Sequence, residues 1–267
     1  MLVTLLVDNR ADGALLSEHG LSFLVETDKG SVLFDTGQTD AWFRNLVALR
    51  KDAASIRAVA VSHGHYDHTG GLTRAFHEKL HAKYHAHPDC FAPRFARSAD
   101  GNRYIGMPKD VVQRRTMFDI NRTATEIMPG VMLSGEVQLV VPAGFDSRHL
   151  AGDGELLQDT YEDEQCLVVR KGNSISVLVG CAHRGLENNV RAAMNAEGVD
   201  KIDLIAGGFH LGGTSEDSLE ALVGFLRSVD VGRIACCHCT GNSAYEYMRS
   251  KLGPRVTLGT TGASWAL

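Results

Sequence analysis

The sequence predicts an α/β sandwich: two mixed β-sheets packed face to face, with helices on the two outer faces. Short apolar runs rich in Val, Ile and Leu recur in both halves of the chain, several without polar alternation, as strands buried on both faces require. Each set of runs is followed by helical spacing. A length of 267 residues, with 44% hydrophobic and 22% charged content, is enough to bury a large core and excludes a disordered chain. Residues 1–267 are expected to form a single domain with an irregular insertion at about 84–165.

In chain order, strands are expected first at LVTLLV (2–7), LSFLVE (21–26), SVLFD (31–35) and AVAVS (58–62). A second set follows at LVV (167–169), SISVLVG (174–180), KIDLIAG (201–207) and RIACC (233–237). Helical patterns fall at 39–50, 70–80, 185–196, 215–229 and 241–251. Ser215, Asp217 and Ser218 offer capping oxygens for the fourth helix, and Gly241-Asn242 opens the fifth. The stretch HPDCFAPRFARSADGNRYIGMPKD reads as long loops with short elements. An insertion of that kind serves as a lid or a substrate-binding loop.

Composition bounds the function. A net charge of −5 gives no electrostatic reason to bind nucleic acid. The first apolar run is six residues long with no basic stretch before it, too short for a signal peptide or a membrane span. The six Cys lack the spread of a disulfide framework, so a cytoplasmic protein with reduced thiols is expected. The expected partner is a small anionic molecule, with no nucleic acid and no membrane; a homodimer is left open.

The departure from plain composition is the count of 12 His. Four potential ligands fall within six residues after the strand AVAVS, in His63-Gly64-His65-Tyr66-Asp67-His68, followed by Thr69-Gly70-Gly71. An extended chain aims His63 and His65 the same way. Asp67 and His68 then address a second point at the turn. Neutral imidazoles, one carboxylate and glycines that let the backbone come close are what a two-metal hydrolytic site needs.

The stretch His63 to Leu72 resembles the signature of the metallo-β-lactamase-fold hydrolases. The stretches LSEHGLSFLVE (16–26), LFDTG (33–37), GCAHRGLENNV (180–190), GGFHLGG (207–213) and CCHCTGN (236–242) narrow the resemblance. They are similar to the branch that includes 7,8-dihydropterin-6-methyl-4-(β-D-ribofuranosyl)aminobenzene-5′-phosphate synthase. The resemblance implies an αββα sandwich with metals at the sheet edges. It also implies a further His, a bridging carboxylate and a last His near the C-terminus. His238 fits the last role. Cys181 stands where the superfamily usually has the bridging Asp, and Asp163 and Glu164 stand where the further His is missing. His183 is expected to supply that imidazole. Cys181 either ligates as thiolate or packs, and Asp163 either bridges or supports; a mononuclear or asymmetric site stays open.

The expected metal ligands are therefore His63, His65, Asp67, His68, His183 and His238, for one or two divalent ions, zinc first and manganese or iron as alternatives. Asp67 is expected to orient a metal-activated water, and His210 to donate a proton to the leaving group or meet a substrate anion. Arg184, at a helix start, is expected to attract an anionic group. Asp35 is expected to orient a metal-bound His. Glu18-His19 reads equally as a polar loop or pocket wall. His77, His81, His85, His87 and His149 read as surface or packing residues, and Cys236, Cys237 and Cys239 as strand packing. The function expected is hydrolysis of a phosphorylated or otherwise anionic small molecule, a pterin or ribofuranosyl-aminobenzene phosphate conjugate among the candidates. An iron-dependent oxidoreductase on the same fold, or a non-catalytic metabolite-sensing module, are the competing classes.

Overall fold

The computed structural model describes residues 1–267. The first half of the chain runs β1 (Leu2–Val7), β2 (Ser22–Thr27), β3 (Gly30–Phe34), α1 (Ala41–Ala48), β4 (Ile56–Ala60), α2 (Tyr66–Thr69), α3 (Leu72–His77) and β5 (Lys83–Ala86). Then come β6 (Arg94–Ser98), β7 (Gly101–Tyr104), α4 (Lys109–Val112), β8 (Phe118–Ile120), β9 (Thr123–Met128), β10 (Val131–Gly135), β11 (His149–Ala151) and β12 (Leu157–Gln158). The last part runs β13 (Leu167–Lys171), β14 (Ser174–Val179), α5 (Leu186–Glu197), β15 (Lys201–Gly208), α6 (Glu216–Ser228), β16 (Asp230–Cys237), α7 (Asn242–Leu252), β17 (Val256–Leu258) and β18 (Ser264–Ala266).

The strands form two seven-stranded sheets, ordered β18-β1-β2-β3-β4-β5-β8 and β17-β16-β15-β14-β13-β10-β9. Each has an antiparallel half and a parallel half: β3, β4, β5 and β8 are parallel in one, β14 to β17 in the other. Alternate residues of one strand feed different cores, which explains the unbroken apolar runs. Ala58 and Ala60 face the other sheet, whereas Val59 and Val61 face Trp42, Leu46 and Leu72 of the outer helices. Likewise Ile234 and Cys236 pack beneath α5 to α7, while Ala235 and Cys237 lie between the sheets. The result is the predicted helix–sheet–sheet–helix layering.

The 84–165 stretch is more regular than expected. Its β8 extends one large sheet and its β9–β10 hairpin closes the edge of the other. β6, β7, β11 and β12 make a separate four-stranded sheet. The β9 pattern was hard to read because this edge strand is largely exposed, with only Met128 buried. No helix is long and apolar enough to cross a membrane.

Candidate metal centre

The side chains of interest lie just beyond the carboxyl ends of parallel strands. β3 leads into Asp35, β4 into Ser62 and His63, β14 into Cys181 and His183, β15 into His210 and β16 into His238. Loops diverging from such strand ends leave a crevice for ligands. Asp35, Ala182, His210 and His238 all have left-handed backbone, with φ of 57°, 53°, 48° and 46°. Non-glycine residues take this conformation at a cost and keep it where surrounding contacts enforce it, often at functional sites. Gly64 is needed for a different reason: a Cβ there would run into the Cys90 carbonyl.

His63, His65 and His183 converge. Their ring centroids are 4.7 Å (63–65), 5.0 Å (63–183) and 4.9 Å (65–183) apart. All are buried, and burial followed by neighbouring imidazoles holds each well below the usual histidine range. They are neutral rings with lone pairs available. His65 Nε2 and both ring nitrogens of His183 have no hydrogen-bond partner. An unmet buried polar atom costs about 1–3 kcal/mol, and a cation at the point of convergence would remove that cost. Tyr161 stacks on His183 at 4.1 Å and 7° between planes, which fixes that ring.

Asp67, His68 and His238 form a second group. Asp67 Oδ2 lies 3.3 Å from His238 Nε2 and 4.0 Å from His68 Nε2. The other nitrogen of each ring is held from behind. Asp35 Oδ2 is 2.7 Å from His68 Nδ1, and Asn9 Oδ1 is 2.8 Å from His238 Nδ1. Such partners set tautomer and direction in metal sites. Asp35 also accepts from the Ser62 backbone N–H at 2.7 Å, so one carboxylate ties the motif to β3. Burial would lower His68, but Asp35 and Asp67 outweigh it and push it up to about 9. Burial would raise Asp67, yet His68, His19 and His238 hold it well below the usual carboxylate range. This group favours positive charge, and a metal cation would compete with the proton on His68.

Cys181 lies between the groups. Its sulfur is 3.1 Å from His68 Nε2, and it belongs both to a cluster with His63 and His183 and to one with His68 and His238. Ligand atoms within each cluster lie within 4.8 Å of one another. The thiol therefore lies between the two groups of candidate ligands. The chemistry fits: zinc takes thiolate, imidazole and carboxylate alike.

Asp163 does not reach this place. Its Oδ2 accepts from the Gly64 backbone N–H at 2.6 Å, and its Oδ1 pairs with Arg94 at 2.8 Å. Arg94 in turn meets Asp159 at 3.0 Å, so a buried ion network holds the His63–His65 turn. Glu164 plays the matching part for the other sheet, accepting from the backbone N–H groups of His183 (2.6 Å) and Arg184 (2.7 Å). Burial pushes Glu164 up to about 7 despite these donors.

Three other expectations change. Arg184 is buried, donates through Nη1 to the Thr160 carbonyl at 3.0 Å, and is not in the wall of the adjoining cavity, so it offers no anion contact there. Its place is set by Glu164 gripping the turn from behind. Cys239 is not strand packing: it follows β16 and His238, and its Sγ donates to the Cys181 carbonyl at 3.7 Å. Cys236 and Cys237 do pack in the cores. His149 comes to the site, its ring 5.2 Å from His65 and its Nδ1 2.9 Å from the Tyr161 hydroxyl. Its arrival depends on the small sheet, which no local pattern announced. His19 reaches Asp67 Oδ2 at 3.1 Å. The Glu18-His19 pair before a strand was the signal for it. His77 and His81 are exposed, and His85 and His87 are buried.

His210 lies 4.4 Å from His183 between ring centroids, with Nδ1 unpartnered. Burial opposes its charge, but the Cys239 sulfur holds its pKa above the usual value. Beside it opens a cavity of about 650 Å³, walled by residues 141–144 on one side and 209–215 on the other, with His183 and His210 in its lining. No Lys or Arg lines it.

The chain matches the metallo-β-lactamase superfamily model over residues 18–191. It is 30% identical over 247 residues to the uncharacterized protein MJ0448 of Methanocaldococcus jannaschii, covering 91% of this chain and 92% of that one. It is 28% identical over 243 residues to the 7,8-dihydropterin-6-methyl-4-(β-D-ribofuranosyl)-aminobenzene-5′-phosphate synthase of the same organism, covering 85% and 83%. Among solved structures it is similar to Tm1679, a metal-dependent hydrolase of the β-lactamase superfamily, with a TM-score of 0.85, 31% identity and 100% and 99% coverage.

Proposed function

The chain belongs to the metallo-β-lactamase superfamily, and from there we propose that it is a metal-dependent hydrolase of a phosphorylated or otherwise anionic small molecule. One observation carries the reading: two buried clusters, His63/Cys181/His183 and His68/Cys181/His238, share Cys181, with His65 against His63 in the first and Asp67 against His238 in the second. In this reading the first group and Cys181 would hold one divalent ion, zinc before manganese or iron, and the second group and Cys181 would hold another. Ions there would supply Lewis acidity and a water acidified to near-neutral pH.

The chain's own residues do the rest. Asp67 Oδ2 accepts a hydrogen bond from the attacking water and orients it. His210 faces the cavity from the far side of His183 and donates a proton to the departing oxygen. The cavity wall carries Asp146 and Glu187 and no Lys or Arg, so an anionic group would find attraction only at the ions and His210. The apolar stretches Val141–Ala143 and Phe209 then suit a flat organic portion of the substrate. A pterin or ribofuranosyl-aminobenzene phosphate conjugate has both parts, which is why the similarity to the synthase makes such conjugates the first to try.

The test is a metal-replete screen of phosphomonoesters, phosphodiesters, thioesters and lactones, with such conjugates included, run beside His65→Ala and Asp67→Ala. The expected result is turnover of an anionic ester that falls at least about 100-fold in both variants. Equal turnover in all three proteins would overturn the mechanism.

A further inference from the structure

We propose that His19 is a ligand of the second cation position, completing a set with Asp67, His68, His238 and the shared Cys181. The inference rests on the reading that the site holds cations and goes beyond it, because His19 comes from the β1–β2 loop, outside the strand-end motifs.

The geometry is that of a prepared ligand. His19 Nε2 lies 3.1 Å from Asp67 Oδ2, and the two rings of His19 and His238 are 4.9 Å apart. His19, Asp67 and His238 offer one ligand atom each within 4.8 Å of one another. The loop is fastened on both sides of the imidazole. Before it, Glu18 accepts from the backbone N–H groups of Gln38 (2.8 Å) and Thr39 (3.0 Å) and from the Thr39 hydroxyl (2.5 Å). After it, the Leu21 N–H donates to the Asp67 carbonyl at 3.2 Å, and the Gly20 N–H to Asn9 Oδ1 at 3.2 Å. That same Asn9 oxygen meets His238 Nδ1, so one side chain sets both the His19 loop and the His238 ring. A Cβ at Gly20 would come within 2.6 Å of the Asp67 carbonyl, which only glycine avoids. A loop pinned by so many contacts to the partners of one ring is how a metal site orients its ligands.

The side chain is also placed differently from the other ligands. It is 55% exposed, where those of Asp67 and His238 are 9% and 1% exposed. It closes the second position on the solvent side, so its loss should release that ion and spare the first.

The test uses the full chain, stripped with a chelator and titrated with Zn²⁺ against a chromophoric chelator, with ions per chain counted by elemental analysis. Wild type, His19→Ala, His19→Asp, His238→Ala and the exposed control His81→Gln are compared, each first checked for fold by circular dichroism without metal. The expected result is two ions in the wild type and in His81→Gln. In His19→Ala the second ion should bind about 100-fold more weakly while the first is unchanged, and His19→Asp, which keeps a ligand atom, should recover most of that loss. Two ions bound to His19→Ala with wild-type affinity would overturn the assignment yet leave the metal site standing. No ion in the wild type would overturn both. A loss in His19→Ala that His19→Asp does not recover also counts against ligation.

Discussion

The two ligand groups sit on either side of one thiol, and burial has opposite outcomes in them. His63, His65 and His183 have no carboxylate against their rings, so desolvation wins and they stay neutral. His68 is just as buried, but Asp35 and Asp67 lie within reach, and it is held protonated up to about pH 9. Depth therefore does not decide charge here; the nearest carboxylate does. One position is a trap of lone pairs, and the other is an anionic cradle.

The frame of the first group can be broken from outside. Arg94→Met should leave Asp159 and Asp163 buried without their cation and free the Gly64 turn, at a cost of about 3–5 kcal/mol, or about 10 °C in the melting midpoint. A midpoint within a degree or two of wild type would show that the network does not hold the turn.

The asymmetry itself is tested by Asp35→Asn, which removes the charge that distinguishes His68. Zn²⁺ affinity at the second position should fall about 10- to 100-fold, with the first position spared. Equal weakening of both ions in a chelator competition would mean that the groups are not separable.

Proton linkage gives a comparison without mutation. In the metal-free protein the three rings of the first group are neutral when folded and protonate when unfolded, so stability falls as pH drops below about 6.5, by about 1.4 kcal/mol per pH unit for each ring. Glu164, raised to about 7, has the reverse slope between its unfolded value and pH 7 and offsets one ring. Among these four groups the rings outnumber the carboxyl, so stability still falls on the acid side. His68 adds stability that is full below about 6.5 and is lost as pH rises through about 9. Urea melts of chelator-treated protein from pH 5.5 to 9 should show a maximum near neutrality, and Asp35→Asn should flatten the alkaline limb. A curve without an acid limb would refute the neutral-ring description.

Glu164→Gln gives the smallest effect: Oε1 accepts from His183 and Oε2 from Arg184, and the amide keeps only one of these two acceptors, costing about 1–3 kcal/mol. Because it grips the backbone of the first group alone, a crystal structure should show His183 displaced and His238 unmoved.

What the residues reveal on their own is what short spacing can encode. The strands came from apolar runs. The cluster His63 to His68 is one local segment, and His183 and His238 each follow a readable strand end, so the layers and the principal donors were legible. The rest depends on which loops the paired sheets bring together. Gly64 meets Asp163 across 99 residues, His68 meets Cys181 across 113, and Asn9 meets His238 across 229. No periodicity spans such distances. That is why Asp163 and Glu164 can pass for ligands though they accept from the backbone N–H groups of Gly64, His183 and Arg184, why Arg184 reads as free to bind an anion, and why His149 reads as a packing residue. A residue's chemistry is a property of its type, and the sequence by itself determined that an αββα fold would form with a cluster of imidazoles at its strand ends. Its direction, and hence whether it faces a cation, a backbone N–H or the core, is set by packing between distant segments, and only the tertiary structure decided that.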